Sequence, residues 1–187
     1  QERLLDGFDP ITQGFLHIPY GSMEAVENAY SDKTAAILLE IVQGEGGIRP
    51  APATFVESLA AFCKDKGILF MVDEVQAGMG RTGKWWAFQN YNVLPDVLTT
   101  AKAIANGLPM GALMATDEIA RAFVIGSHAT TFGAGAFVCS VADKVFEIIE
   151  RDGLIPRAKE LGDWAMARFR KVAEKYPGTI KEVRGLG

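Results

Sequence analysis

Two apolar runs, TAAILLEIV from Thr34 to Val42 and GILFMVDEV from Gly67 to Val75, constrain this chain more than any other feature. Each has strand length, and neither alternates as a half-exposed strand would, so both read as buried parallel strands. Between them QGEGGIRPAP forbids continuation of the first run. A helix is expected from Thr54, with Glu57 three residues later completing a capping box. Phe55, Leu59, Phe62 and Cys63 then share one face of that helix, and Gly67 closes it. A strand-helix-strand unit with a right-handed crossover demands a parallel sheet.

The pattern continues with a short aromatic-rich helix from Lys84 to Tyr91, a strand DVLTTA from Asp96 and another, GALMAT, from Gly111. Two longer helices follow. Val138, Val141, Ala142, Val145 and Ile149 make the stripe of one, and Leu161, Trp164, Ala165, Arg168, Phe169 and Val172 that of the other. Gly153 and Pro156 punctuate the gap. No linker divides residues 1–187, so a single α/β domain is expected: a mostly parallel sheet with helices on both faces.

Composition removes several classes of function. The 187 residues are 49% hydrophobic, and the longest apolar stretches are cut by Glu40, Asp65 or Asp73, so no bilayer span is expected. A net charge of −4 argues against a nucleic-acid backbone binder. The basic residues from Arg168 to Lys175 read as a solvated helix face. Cys63 and Cys139 lack metal-ligand spacing and read as buried thiols of a reducing, cytoplasmic compartment, with no metal site. The polar start QERLLDGFD shows no signal peptide. The chain opens on Gln1 and stops in KEVRGLG, which reads as a strand cut at its turn, so a piece of a longer protein is expected.

In open parallel sheets, ligands gather outside the carboxyl ends of the strands. There this sequence puts Gln43 and Glu45, then Asp73 to Gln76, then Lys102. One reading takes Gly78, Gly80 and Gly83 as a dinucleotide turn, with Asp96 as the ribose-binding acid of an NAD-dependent oxidoreductase. Against it, DEVQA brings two carboxylates to the intended pyrophosphate, where like charges repel. The related phosphate-loop reading fails at Trp85, which stands where a magnesium-ligating hydroxyl is required. The second reading pairs Asp73 with Lys102. Pyridoxal phosphate needs a lysine amine for a Schiff base and an acid that keeps the pyridine nitrogen protonated. On spacing alone, a capping Asp73 and a surface Lys102 stay open.

The surrounding text carries more. ILFMVDEVQAGMGRTGKWWAFQNYNVLPDVLTTAKAIANGLPMGALMAT resembles the cofactor segment of class III (ornithine-type) aminotransferases, which are fold-type I pyridoxal phosphate enzymes. The flanking FDPITQGFLHIPYG, LLEIVQGEGGI, HATTFGAG and KEVRGLG are most similar to the members acting on acetylornithine, and the similarity runs in family order from about Phe8 to Gly187. The resemblance implies the large cofactor-binding domain, without the family's N-terminal phosphate-loop segment and C-terminal small domain. It implies Lys102 as the Schiff-base lysine and Asp73 as the partner of the pyridinium nitrogen. Glu74, Val75 and Gln76 belong to the same cofactor-binding element, Val75 packing on the ring and Gln76 bonding near its phenolic oxygen. Thr131 matches the residue that binds the cofactor phosphate across a dimer interface, and Thr130 its neighbour near substrate. Glu45 matches a glutamate that helps control a substrate-carboxylate arginine. The implied activity of the homodimer moves an amino group from N-acetylornithine, or a related ω-amine, to 2-oxoglutarate. Enzymes for ornithine, succinylornithine, 4-aminobutyrate and diamines share the same cofactor residues. An inactive fragment keeping only the fold and a dimer surface is the further alternative. The chain departs from the family's phrases at Gly135, Ala136 and Phe137, and at Ala105 and Asn106, where glycines are common.

Overall fold

The strand that pairs with both neighbours in parallel is β4, Leu69–Asp73, and the rest of the molecule is arranged around it. A computed structural model describes residues 7–187, so part of the polar start QERLLDGFD lies outside the described residues. β4 lies between β1 (Ala36–Leu39) and β5 (Val97–Thr100), both parallel to it, and β6 (Ala112–Ala115) runs antiparallel on the outside of β5. The sheet order is β1-β4-β5-β6, a mostly parallel α/β sheet as expected. A separate ribbon pairs β2 (Val42–Gln43) with β3 (Arg49–Pro50). Helices α1 (Met23–Ala29), α2 (Ala53–Lys66), α3 (Asp117–Ala120), α4 (Ala136–Arg151) and α5 (Leu154–Lys175) complete the order, with 3-10 turns at Ala87–Asn90 and Lys102–Ala105.

Strand alternation explains the core. Phe70 and Val72 of β4, Leu39 and Leu98 point to one face, where Phe55, Val56, Leu59 and Cys63 of α2 and Val26 of α1 pack over them. Burying each of these large side chains stabilises the fold by about 2 kcal/mol. Cys63 is buried, and that burial pushes its thiol up to about 11. A second cluster joins Met79, Ile104, Ala105 and Ala142, so α4 packs beneath the Lys102 turn.

Several expectations are corrected. The run from Thr34 to Val42 is not one strand: β1 ends at Leu39, and the Tyr20 hydroxyl donates to the Glu40 and Ile41 carbonyls at 2.9 and 3.0 Å. The capping box of Thr54 and Glu57 does not form, because the Pro52 carbonyl accepts the Phe55 and Val56 N–H groups instead. Gly67 does close α2, in the left-handed conformation. The helix from Lys84 to Tyr91 contracts to the 3-10 turn. Pro156 does not break the chain; it sits in the first turn of α5, where its missing N–H is not needed. The α5 stripe is mostly exposed, Trp164 and Phe169 by more than half, and Cys139 is half-buried. KEVRGLG forms no strand. Among the described residues no helix is long and apolar enough to cross a membrane.

Candidate active site

Because β4 and β5 are parallel neighbours, their carboxyl ends share one rim. Asp73, the last residue of β4, stands opposite Thr99, and the Glu74 N–H extends the pairing by donating to the Thr99 carbonyl at 2.8 Å. Alternation puts half-buried Asp73 on the face away from α2. One of its carboxylate oxygens accepts the Val75 N–H at 2.8 Å. That bond fixes the orientation of the group, and the second oxygen accepts no hydrogen bond among the described residues.

Lys102 begins the turn that follows β5, and its φ of +49° lies in the left-handed region. Holding a side-chain-bearing residue there costs about 1 kcal/mol, and such strain persists only where the surroundings over-determine it. Here Ile104 and Ala105, buried against α4, pin the turn from below. The Lys102 side chain is exposed and makes no ion pair among the described residues. Both departures from the family pattern fit this turn: Ala105 fills the space beneath it, and Asn106 closes it at φ +46°, a conformation asparagine tolerates better than most residues.

The sequence-predicted site residues divide into three groups. Val75 and Gln76 follow Asp73 on the rim, and Gln76 Nε2 donates to Glu45 Oε1 at 3.4 Å, so the loop after β2 meets the loop after β4. Gly44 permits this, since a Cβ there would lie 3.0 Å from the Gln76 side chain. Glu74 turns the other way. It is 1% exposed, and its two carboxylate oxygens accept the Ala87 and Phe88 N–H groups at 2.8 and 2.9 Å. Burial pushes its carboxyl above the ordinary range, partly offset by those two bonds. With both oxygens committed to backbone, Glu74 supports the rim from beneath. Thr130 and Thr131 are exposed in the loop before α4, and no described hydrogen bond joins them to Asp73, Gln76 or Lys102. Gly135 and Ala136 form the start of α4.

The dinucleotide reading is overturned. Residues 75–86 are turns and bends, so no helix opens on Gly78, Gly80 and Gly83 to receive a pyrophosphate. Asp96, the intended ribose acid, accepts the Phe70 N–H at 2.8 Å and so serves to tie β4 to its neighbour.

Two residues escaped the sequence reading. The Glu40 carboxylate accepts the Gly44 N–H at 3.0 Å, and Arg184 Nε donates to the Gly47 carbonyl at 2.9 Å. A charge inside an apolar run just before a glycine-rich loop was the available signal for Glu40. Arg184 carries no local signal. The rim as a whole offers an uncommitted amine and an oriented carboxylate. These can hold a carbonyl carbon covalently and a protonated ring nitrogen by charge.

Comparison with known proteins agrees with this chemistry. The family model described as aminotransferase class-III matches residues 7–187. The chain is 43% identical over 188 residues to acetylornithine aminotransferase of Myxococcus xanthus, covering 100% of this chain and 47% of that protein. It is 46% identical to the enzyme of the same name from Methanocaldococcus jannaschii, covering 97% and 46%. Among solved structures, acetylornithine aminotransferase of Elizabethkingia anophelis superposes with a TM-score of 0.87 at 35% identity, over 97% of this chain and 46% of that one. Ornithine aminotransferase of Toxoplasma gondii, a structure with partial occupancy of PLP at its active site, gives 0.90 at 32% identity, over 100% and 44%. The chain therefore spans about half the length of the relatives it matches.

Proposed function

The chain belongs to the class III aminotransferases, and from that premise we propose that the protein transfers an amino group from N-acetylornithine, or a related ω-amine, to 2-oxoglutarate, with pyridoxal phosphate held at Lys102. The observation that carries this reading is the placement of Asp73 and Lys102 at the carboxyl ends of adjacent parallel strands. The donor set fits the cofactor: an exposed amine on a pinned turn and a carboxylate with one oxygen to spare.

Pyridoxal phosphate, when bound, supplies an electron-accepting ring. Lys102 Nζ binds its carbonyl carbon between turnovers. As a free amine, the same Nζ would be the base that takes a proton from the carbon bearing the donor's amino group and the acid that gives it back. The free oxygen of Asp73 would hold the proton on the ring nitrogen, and the Val75 N–H keeps that carboxylate aimed. Val75 would pack on the ring, and Gln76 would donate near its phenolic oxygen. Thr131 of a second copy binds the phosphate, Thr130 lies near substrate, and Glu45 tunes recognition of the substrate carboxylate. The working unit is thus a homodimer.

Single-turnover absorbance with equal concentrations of N-acetylornithine, ornithine, N-succinylornithine and 4-aminobutyrate tests the substrate reading. N-acetylornithine is expected to consume the cofactor's absorbance fastest. No reaction with any of the four amines would overturn the assignment.

A further inference from the structure

Residues 180–187 run back against the rim loops. Arg184 Nε donates to the Gly47 carbonyl at 2.9 Å, bridging distant parts of the chain, while the same guanidinium pairs with Glu182. The contact is close enough that a Cβ at Gly47 would lie 3.0 Å from Arg184 Nη2. The loop it touches is strained at Ile48, a β-branched residue with φ +51°, next to Gly47 at φ +99°, which glycine adopts freely. Strain of this kind survives only where outside contacts enforce it. Gly47 and Ile48 N–H groups both turn back to the Gly44 carbonyl, at 3.1 and 3.3 Å, and Glu40 holds Gly44. For Gly46 to Ile48, the Arg184 bond is the one side-chain hydrogen bond among the described residues.

Glu45 sits inside this turn. Its 3.4 Å bond from Gln76 is at the long end of the useful range, where a shift of a few tenths of an ångström loses it. We propose that Arg184 is a positioning residue: by holding the Gly47 carbonyl, it fixes the loop that presents Glu45 to Gln76. The proposal rests on the reading of Glu45 and Gln76 as site residues. A planar guanidinium suits the task because it can serve the carbonyl and Glu182 at once, which an ammonium does poorly.

Nitrogen-edited NMR of the 187-residue chain tests this without cofactor or activity. The Gln76 side-chain amide pair is identified by its loss in Gln76→Ala. Glu45→Ala is expected to shift that pair, and Arg184→Ala to shift it in the same direction. Gly47 and Ile48 amides should exchange about tenfold faster in Arg184→Ala, the scale of one lost charge-assisted hydrogen bond. Arg184→Lys, whose ammonium serves the carbonyl and Glu182 less well, is expected to restore only part of both effects, and if Arg184→Ala does not fold, a partial shift in Arg184→Lys is the expected sign. A Gln76 pair unmoved by Arg184→Ala, or by Glu45→Ala, overturns the proposal. So does a diffuse perturbation of the whole spectrum with no recovery in Arg184→Lys, the mark of a merely structural residue. Failure of Lys102 to take up pyridoxal phosphate would instead refute the proposed function and leave these signals as they are.

Discussion

Asp73 and Glu74 are adjacent acids that strand alternation sends in opposite directions, one to the rim and one into the interior. Glu74→Ala strands two buried N–H donors, so the unfolding free energy from urea titration is expected to fall by about 3 kcal/mol. The same residue carries a pH dependence. Its folded carboxyl titrates above the ordinary 4.5, so in that window the folded state binds more protons than the unfolded one. Its contribution to stability therefore declines as pH rises from 4.5. The stability difference between the wild type and Glu74→Gln, measured across that range, should move in that direction and in no other. Thr100 makes a complementary case, since its buried hydroxyl has no hydrogen-bond partner among the described residues. Thr100→Val keeps the shape and removes the orphaned group, and is expected to raise stability by about 1 kcal/mol in the same titration.

At the scale of elements, the Lys102 turn is held by what flanks it rather than by its own preference. Asn106 closes it in the left-handed region. Asn106→Gly should leave the denaturation midpoint nearly unchanged, whereas Asn106→Ala should cost about 1 kcal/mol. The strands that lead to Asp73 and Lys102 were legible in the sequence because buried parallel strands leave apolar runs. The helix ends were less so. Pro52 supplies a carbonyl where a Thr54 hydroxyl was expected, and Tyr20 intercepts β1 from a distant part of the chain. Glu74 could be placed in the right element but not turned the right way, because its partners at Ala87 and Phe88 lie beyond an irregular stretch. The bond from Arg184 to Gly47 has no periodicity or motif to announce it.

The whole molecule leaves much apolar surface uncovered. On the sheet face that carries Asp73, Leu38 is 60% exposed; Phe132, before α4, is 91% exposed, and Phe137, in its first turn, 73%. Apolar side chains left this exposed are expected to be covered by another chain or by another segment of the same protein. Thr130 and Thr131 lie beside Phe132, and on the proposed reading a second copy docks there. Light scattering across a concentration series is expected to show a dimer, and Phe132→Ser with Phe137→Ser to yield a folded monomer. A wild-type monomer at every concentration would refute this arrangement.

The claim on which the rest depends is that Lys102 is the cofactor's point of attachment. Incubating the chain with pyridoxal phosphate, reducing with borohydride and mapping peptides by mass tests it directly. One dominant adduct should appear on the peptide containing Lys102 and vanish in Lys102→Ala. Labelling spread over the other exposed lysines, or unchanged in Lys102→Ala, would contradict it.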